Sequence, residues 1–304
     1  MTAPTIGSLR VNGATLHYEV RGHGPLLLLI PGGAGGAASF DGFADDLAAA
    51  YTVATYDPRG MSRSPLDDPE ARQSVAEHAD DALRILELLS PREPARVFGA
   101  SSGAITALHL LATHPERVER VVAHEPPAVM VLPDAADHRA FLARVQETFR
   151  RQGLMPAMAV FGEGLKKAEP GEGGGATEPQ PAAEPQSATE PPPAAELPPQ
   201  AAARAERTMA NLPYFVGRIV PAFMSYTPDL NRLEALSDRL VLAGGQDSVG
   251  ELAYRPAAHV AERLGLELLH FPGGHVGSTT HPAPFGELLR TAFRAEPARK
   301  RHPA

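Results

Sequence analysis

The spacing of apolar residues changes along the chain, and the changes predict strands that alternate with helices. Residues 26–30 form an uninterrupted apolar run that ends at Pro31 and two glycines, which is typical of a strand buried on both faces. Other segments follow one of two periods, strand-like at 51–57, 95–99, 118–125 and 239–247 and helix-like at 75–89, 102–114 and 254–265. Such alternation predicts an α/β fold with a mostly parallel sheet flanked by helices.

Residues 131–236 depart from this alternation. Segments 137–152 and 212–224 carry apolar side chains at helical spacing. We therefore expect a helical cap at 131–236, inserted into an α/β core made of residues 1–130 and 237–304.

A proline-rich segment interrupts the expected cap at about 168–203. Residues 169–200 hold nine prolines and few apolar side chains, so regular backbone hydrogen bonding and burial are both disfavoured. We predict a disordered Pro/Glu/Ala-rich surface loop that the fold tolerates. A docking segment for a partner is the alternative interpretation.

Charge and composition remove several classes of protein. Six glutamates and no basic residues lie between 168 and 203, so most of the net charge of −8 belongs to this loop. The rest of the chain is close to neutral and has no basic stripe of the kind that binds nucleic acid. The absence of cysteine excludes disulfides and thiolate catalysis. The N-terminus lacks a signal-peptide pattern and no apolar run is long enough for a bilayer, so we expect a cytoplasmic protein without membrane contact.

A candidate nucleophile lies in the sequence GASSG, residues 99–103. The G-x-S-x-G pattern stands between a predicted strand and a predicted helix, and that context favours a strained turn with an exposed serine hydroxyl. Ser101 occupies the central position, at a helix N-terminus that stabilises negative charge. The alternative is an ordinary glycine-bounded turn with a helix-capping serine.

Candidate oxyanion donors follow the apolar run 26–30. The stretch GGAGG at 32–36 leaves the backbone free to approach a substrate oxygen, and its N–H groups can join the N–H of Ser102 to hold an oxyanion. A phosphate-binding loop is the competing interpretation. The spacing is not G-x-G-x-x-G and no P-loop lysine follows, so this interpretation is disfavoured.

A base and an acid are expected at later strand ends, where open α/β sheets keep their sites. His275 lies in a glycine-flanked loop after the last predicted strand, and Asp247 follows the strand before it. We predict Ser101, Asp247 and His275 as the catalytic residues. Glu125, which with His124 follows the run VERVVA at 118–123, is the alternative acid.

The stretches PGGAGG, YDPRGMSRS, GASSG, LAGGQD and FPGGHVG together resemble the α/β-hydrolase superfamily. The resemblance implies a predominantly eight-stranded sheet with a helical cap and a catalytic order of nucleophile, acid and base. It also implies that Asp57, Arg59 and Gly60 build a structural turn. Pro31 stands where that superfamily often has histidine, a departure that leaves the backbone donor intact. By this resemblance we assign the donor to Gly33, with Ala34 as the alternative. A serine at position 101 disfavours epoxide hydrolases and haloalkane dehalogenases, whose attacking group is a carboxylate.

The predicted function is therefore a serine hydrolase with a triad and an oxyanion hole. We expect it to cleave a carboxylic ester, thioester or lactone of a small, apolar metabolite through an acyl-enzyme, with no metal and no organic cofactor. The expected partner is a small-molecule substrate, and the sequence leaves the oligomeric state, including a homodimer, open. A cofactor-free lyase or cyclase, an aminopeptidase and a non-catalytic ligand-binding receptor are the alternatives.

Six large side chains of the expected cap either face the substrate pocket or form the core of the cap itself. They are Met155, Met158, Phe161, Phe215, Phe223 and Met224.

Overall fold

Eight strands form one mostly parallel sheet in the structure, a computed structural model that describes residues 3–166 and 199–294. The strands are β1 (Thr5–Val11), β2 (Ala14–Arg21), β3 (Leu26–Ile30), β4 (Thr52–Tyr56), β5 (Ala95–Ala100), β6 (Val118–His124), β7 (Leu240–Gly245) and β8 (Leu269–Phe271). Their order across the sheet is β1-β2-β4-β3-β5-β6-β7-β8. The β1–β2 and β2–β4 pairs are antiparallel and the others are parallel. The carboxyl ends of β3 and β5 to β8 therefore lie at one edge of the sheet.

Helices cover both faces of this sheet and make up most of the described residues between β6 and β7. They are α1 (Asp41–Ala48), α2 (Val75–Leu89), α3 (Ser102–Thr113), α4 (Ala135–Gln152), α5 (Leu154–Leu165), α6 (Pro199–Tyr214), α7 (Val220–Met224), α8 (Leu230–Ala235), α9 (Tyr254–Arg263), α10 (Gly277–Thr280) and α11 (Pro282–Ala292). A π-helical turn, Phe215–Ile219, joins α6 to α7. The predicted α/β fold class, with its flanked and mostly parallel sheet, is confirmed.

Strand β3 shows why its sequence is apolar throughout. Successive side chains of a strand point to opposite faces, and here both faces are covered. Leu27 and Leu29 belong to a cluster that includes Phe285 of α11, whereas Leu28 and Ile30 belong to the cluster on the other face. All five residues of β3 are buried, so the central strand lies in the middle of the core.

The helices between β6 and β7 have a core of their own. Phe141 and Val145 of α4 pack with Phe161 of α5 and with Val216 and Val220. The helical character predicted for this part of the chain agrees with these elements. The boundaries 131 and 236 remain predictions.

The predicted loop at 168–203 needs a correction at its carboxyl end. Residues 167–198 lie outside the described residues, but residues 199–203 belong to α6 rather than to a loop. Proline is tolerated in the first turn of a helix, and the alanines that follow Pro199 are the strongest helix formers. The predicted end of the irregular segment at 203 therefore lies too far along the chain.

In 3–166 and 199–294, no helix has both the length and the apolar character needed to span a bilayer.

Candidate active site

Ser101 lies on a sharp turn between β5 and α3. Its backbone has φ 55° and ψ −122°, a conformation that is strained for a residue with a side chain. The turn is closed on both sides by glycine. A Cβ atom on Gly99 would lie 2.4 Å from the Gly103 carbonyl oxygen, and one on Gly103 would lie 2.3 Å from the Ile30 carbonyl oxygen. The G-x-S-x-G spacing therefore permits the close approach of α3 to β3 and β5 that holds Ser101 at the sheet edge.

His275 reaches Ser101 from the loop between β8 and α10. The distance between His275 Nε2 and Ser101 Oγ is 3.1 Å, within the range at which a hydroxyl donates to an imidazole nitrogen. The two residues are separated by 174 positions in the sequence. The side chain of His275 is 31% exposed, so one edge of the ring remains open to the cavity.

Glu125 is the acidic partner of His275. Its Oε2 atom lies 2.6 Å from His275 Nδ1, so the imidazole N–H donates to the carboxylate. Glu125 directly follows β6, is fully buried, and has φ 45°, another left-handed backbone conformation at the same edge of the sheet. Its backbone N–H donates to the Ala243 carbonyl of β7 at 2.9 Å, which fixes the turn in which the side chain points to His275.

The second oxygen of Glu125 is held by β7 and the loop after it. Oε1 accepts a hydrogen bond from the backbone N–H of Gly245 at 2.7 Å and another from the Ser248 hydroxyl, which is itself fully buried. Burial alone would raise the pKa of Glu125, but the hydrogen bond from His275, the charges of His124 and His275, and the Ser248 hydroxyl bring the pKa below its usual value. The carboxylate is therefore ionised and fixed in the direction of the imidazole.

The structure contradicts Asp247 as the acid. Asp247 lies on the loop after β7, as expected, but it is exposed, and within the described residues its carboxylate makes no hydrogen bond to His275. The loop turns so that the next residue, Ser248, points inward to Glu125. The Asp247 backbone N–H donates to the Gly273 carbonyl at 3.1 Å, so this residue joins the two loops through its backbone alone.

The predicted oxyanion donors surround Ser101. Gly33 and Ala34 follow β3 and line the same cavity as Ser101 and Ser102. Ser102 is the first residue of α3, and N–H groups of a first helical turn have no acceptor within the helix. The Gly33 N–H donates to Ser102 Oγ at 3.1 Å, so a substrate oxygen would have to replace this contact.

An anchor from α6 fixes the loop that carries Gly33 and Ala34. The Asn211 amide donates to the Ala34 carbonyl at 2.9 Å and to Ser62 Oγ at 2.9 Å, and it accepts from the Ser62 N–H at 2.8 Å. Asn211 is 5% exposed. Sequence reasoning missed this residue because a single asparagine in a helix carries no motif.

The Asp57–Gly60 segment has the structural role that the resemblance implies. Asp57 accepts from the Ala37 N–H at 2.8 Å and pairs with Arg63 at 2.7 Å. Arg59 makes a two-pronged ion pair with buried Asp81, at 2.6 and 2.7 Å. Tyr214 of α6 lies directly over Gly60, so this turn also contacts α6.

A cavity of about 450 Å³ opens above Ser101 and His275. Its walls are largely apolar and include Phe161, Leu165, Phe215, Ile219, Val220, Phe223 and Met224. Four of the six large side chains noted in the sequence, Phe161, Phe215, Phe223 and Met224, therefore line the cavity and also belong to packed apolar clusters. Met155 is 71% exposed, and Met158 packs against the cluster that contains Phe161.

No group of three or more His, Asp and Glu side chains in the described part of the chain is arranged as a metal site.

Comparison with known proteins agrees with this fold. A model of the α/β hydrolase fold matches residues 25–161. The uncharacterized hydrolase YraK of Bacillus subtilis (strain 168) is 34% identical over 294 residues, which are 95% of this chain and 96% of the relative. A zearalenone hydrolase of Bionectria ochroleuca is 37% identical over 123 residues, 40% of this chain and 46% of that protein.

A solved structure is similar to this chain over nearly its full length. It is a thermophilic esterase of Thermogutta terrifontis, with a TM-score of 0.67 at 17% sequence identity. The match covers 96% of this chain and 98% of the esterase chain. The chain belongs to the α/β-hydrolase superfamily, and hydrolase is the class of protein that its fold and its relatives define.

Proposed function

We propose that the protein is a serine hydrolase that cleaves a carboxylic ester, thioester or lactone through an acyl-enzyme. The observation that carries the proposal is the hydrogen-bonded chain from Ser101 through His275 to Glu125, with distances of 3.1 and 2.6 Å. A hydroxyl, an imidazole and a buried carboxylate in this order are the parts that nucleophilic acyl transfer needs.

In the first half-reaction, Ser101 Oγ attacks the acyl carbonyl carbon while His275 Nε2 takes the hydroxyl proton. Glu125 holds the Nδ1–H tautomer and stabilises the imidazolium that forms. The carbonyl oxygen becomes an oxyanion, for which the Gly33 and Ser102 N–H groups are the proposed donors. The tetrahedral intermediate then breaks the bond to the alcohol or thiol, and the imidazolium gives its proton to this leaving group.

In the second half-reaction, water attacks the acyl-enzyme with His275 as the base. The second intermediate breaks the bond to Ser101 Oγ, His275 returns the proton to the serine, and the acid product leaves. These steps need no group beyond the three side chains, the backbone donors and water.

The cavity supports a small and largely apolar substrate. A volume of about 450 Å³ lies in the range of small-molecule sites, and its aromatic and aliphatic walls would desolvate an acyl or ring system. None of the described residues that line the cavity is Asp or Glu, so the amine-binding carboxylate that an aminopeptidase needs is missing from this wall. An ester or lactone therefore fits the cavity better than a peptide N-terminus.

A fluorophosphonate probe combined with an ester panel of graded acyl length tests this proposal. We expect rapid labelling of Ser101 in the wild type, and loss of ester turnover in Ser101→Ala and His275→Ala with the fold retained by circular dichroism. Turnover that survives in Ser101→Ala would indicate a lyase or cyclase. Ligand binding without labelling or turnover would indicate a receptor.

A further inference from the structure

One permanent charge lines an otherwise apolar and hydroxyl-bearing cavity. Among the described residues that line it, Arg204 of α6 is the single lysine, arginine, aspartate or glutamate. Arg204 as a whole residue is partly buried. A charge at the wall of an apolar site is costly unless it has a partner, and it therefore indicates what the site is built to hold.

The hydrogen bonds of Asn211 hold α6, and with it Arg204, in place beside the cavity. Arg204, Thr208 and Asn211 are spaced at i, i+4 and i+7, which places them on one face. Asn211 is tied to the loop of Gly33 and Ala34, and Thr208 also lines the cavity. With a rise of 1.5 Å per residue, Arg204 lies roughly 10 Å along the helix axis from Asn211, the residue that is hydrogen-bonded to Ala34.

The described residues leave the donors of Arg204 available. Within 3–166 and 199–294, none of its side-chain N–H groups makes a hydrogen bond. The charge of Arg204 acts to lower the pKa of Asp41, but the Asp41 carboxylate already accepts a hydrogen bond from Arg21 at 2.7 Å. The guanidinium can therefore offer its planar pair of donors to a bound molecule.

We propose that Arg204 selects substrates that carry a carboxylate at a distance from the bond that is cleaved. This inference rests on the proposed ester-hydrolase function and names the substrate class. A carboxylate matches one guanidinium in geometry and in charge, whereas a dianionic phosphate calls for a second positive charge, and no further lysine or arginine is found among the described residues of this wall. The apolar side chains would hold the carbon skeleton between the carboxylate and the ester.

Matched ester pairs test the proposal on both sides of the scissile bond. The first pair is the p-nitrophenyl monoester of glutaric acid and its neutral methyl ester. The second pair is 4-acetoxybenzoate and methyl 4-acetoxybenzoate, in which the carboxylate is on the leaving group. The quantity measured is the ratio of kcat/KM for the charged ester to that for the neutral ester. We expect Arg204→Gln to lower this ratio about tenfold or more in at least one pair, mainly through KM, and Arg204→Lys to restore part of it.

Arg207→Gln is the matched control, because Arg207 lies on the same helix and does not line the cavity. This variant should leave both ratios unchanged. A binding measurement separates the inference from the proposed chemistry. By calorimetry, Ser101→Ala should bind the charged ester more tightly than the neutral one, and the double variant Ser101→Ala/Arg204→Gln should lose that difference.

The outcomes are distinct. Wild-type turnover with ratios that do not change in Arg204→Gln would overturn the role of Arg204 and leave the hydrolase proposal intact. An equal loss for charged and neutral esters would make Arg204 a residue that fixes the cap, and would also overturn the inference. Charge-selective binding without any turnover would support the anion site while removing the proposed function.

Discussion

Glu125 Oε2 lies 2.6 Å from His275 Nδ1, although 150 residues separate the two side chains. One residue follows β6 and the other follows β8, and the strand between them, β7, supplies the Gly245 N–H that holds the carboxylate. Residues at the carboxyl ends of three parallel strands, β6, β7 and β8, therefore orient the imidazole of His275. The carboxylate that contacts His275 directly follows β6, whereas Asp247, the predicted acid, lies after β7.

Replacing Glu125 with glutamine should lower kcat by about 10³-fold or more. The amide can donate to Nδ1 and so favour the tautomer in which Nε2 is protonated and cannot act as a base. The measurement is steady-state hydrolysis of the best ester in the panel. Asp247→Asn is the matched control, and it should remain within about twofold of the wild type because Asp247 is exposed. A larger loss in Asp247→Asn than in Glu125→Gln would contradict the assignment.

Ser248 should act through Glu125 as a positioning residue. Ser248→Ala removes one donor from a buried carboxylate, and we expect kcat to fall about tenfold while KM changes little. The loss of this donor should also raise the pKa of Glu125, so the decline of kcat on the acid side should begin at a higher pH than in the wild type. An unchanged pH profile together with a simple loss of stability would assign Ser248 a structural role only.

The sequence was informative where local sterics decide the outcome. The run at 26–30 predicted a strand buried on both faces, and the glycines at 99 and 103 predicted the turn that presents Ser101. The contact between His275 and Ser101 was predictable because His275 lies in a glycine-flanked loop after the last strand. In each case a few neighbouring residues contain the physical cause.

The acid could not be chosen in the same way. Both Asp247 and Glu125 follow buried strands, and the sequence does not say which loop turns inward. The decision depends on long-range contacts, since Glu125 is fixed by Ala243, Gly245 and Ser248 across 118 to 123 positions. One available signal was the pair of prolines after Glu125, which prevents the strand from continuing. Another signal was Ser248, a small polar residue that directly follows Asp247.

Substitution of Gly103, the glycine after Ser101 in the turn, should reduce stability more than substitution of an ordinary helical glycine. In Gly103→Ala, the new Cβ would lie 2.3 Å from the Ile30 carbonyl oxygen, so the backbone must move. We expect the free energy of unfolding to fall by about 1–3 kcal/mol, measured by urea denaturation. Gly162→Ala is the matched control in α5, with no atom within 4 Å of the added Cβ, and should raise stability by up to about 1 kcal/mol. Equal effects would refute the steric explanation.

Stability should decrease below pH 6.5, and His78 should account for part of the decrease. Burial, with a smaller effect from the charge of Arg59, lowers the pKa of His78 to about 3 in the folded protein. The unfolded chain binds a proton near pH 6.5, whereas the folded chain does not, so unfolding is favoured as the pH falls through this window. The difference in the pKa of His78 between the folded and unfolded states should lower the free energy of unfolding by about 2 kcal/mol at pH 5 relative to pH 8.

Urea denaturation of wild type and His78→Leu at pH 8, 6 and 5 isolates this contribution. The wild type should lose about 2 kcal/mol more than the variant between pH 8 and pH 5, whatever the constant cost of the substitution. Parallel pH curves for the two proteins would show that His78 is protonated equally in both states.

The most direct test of the account is the mass of the enzyme during turnover of a p-nitrophenyl ester. Rapid acid quench followed by intact mass spectrometry and peptide mapping should find the acyl group on the peptide that contains Ser101, together with a burst of p-nitrophenol. Hydrolysis at the full wild-type rate with no acyl group on that peptide, or the same rate in Ser101→Ala, would contradict the account.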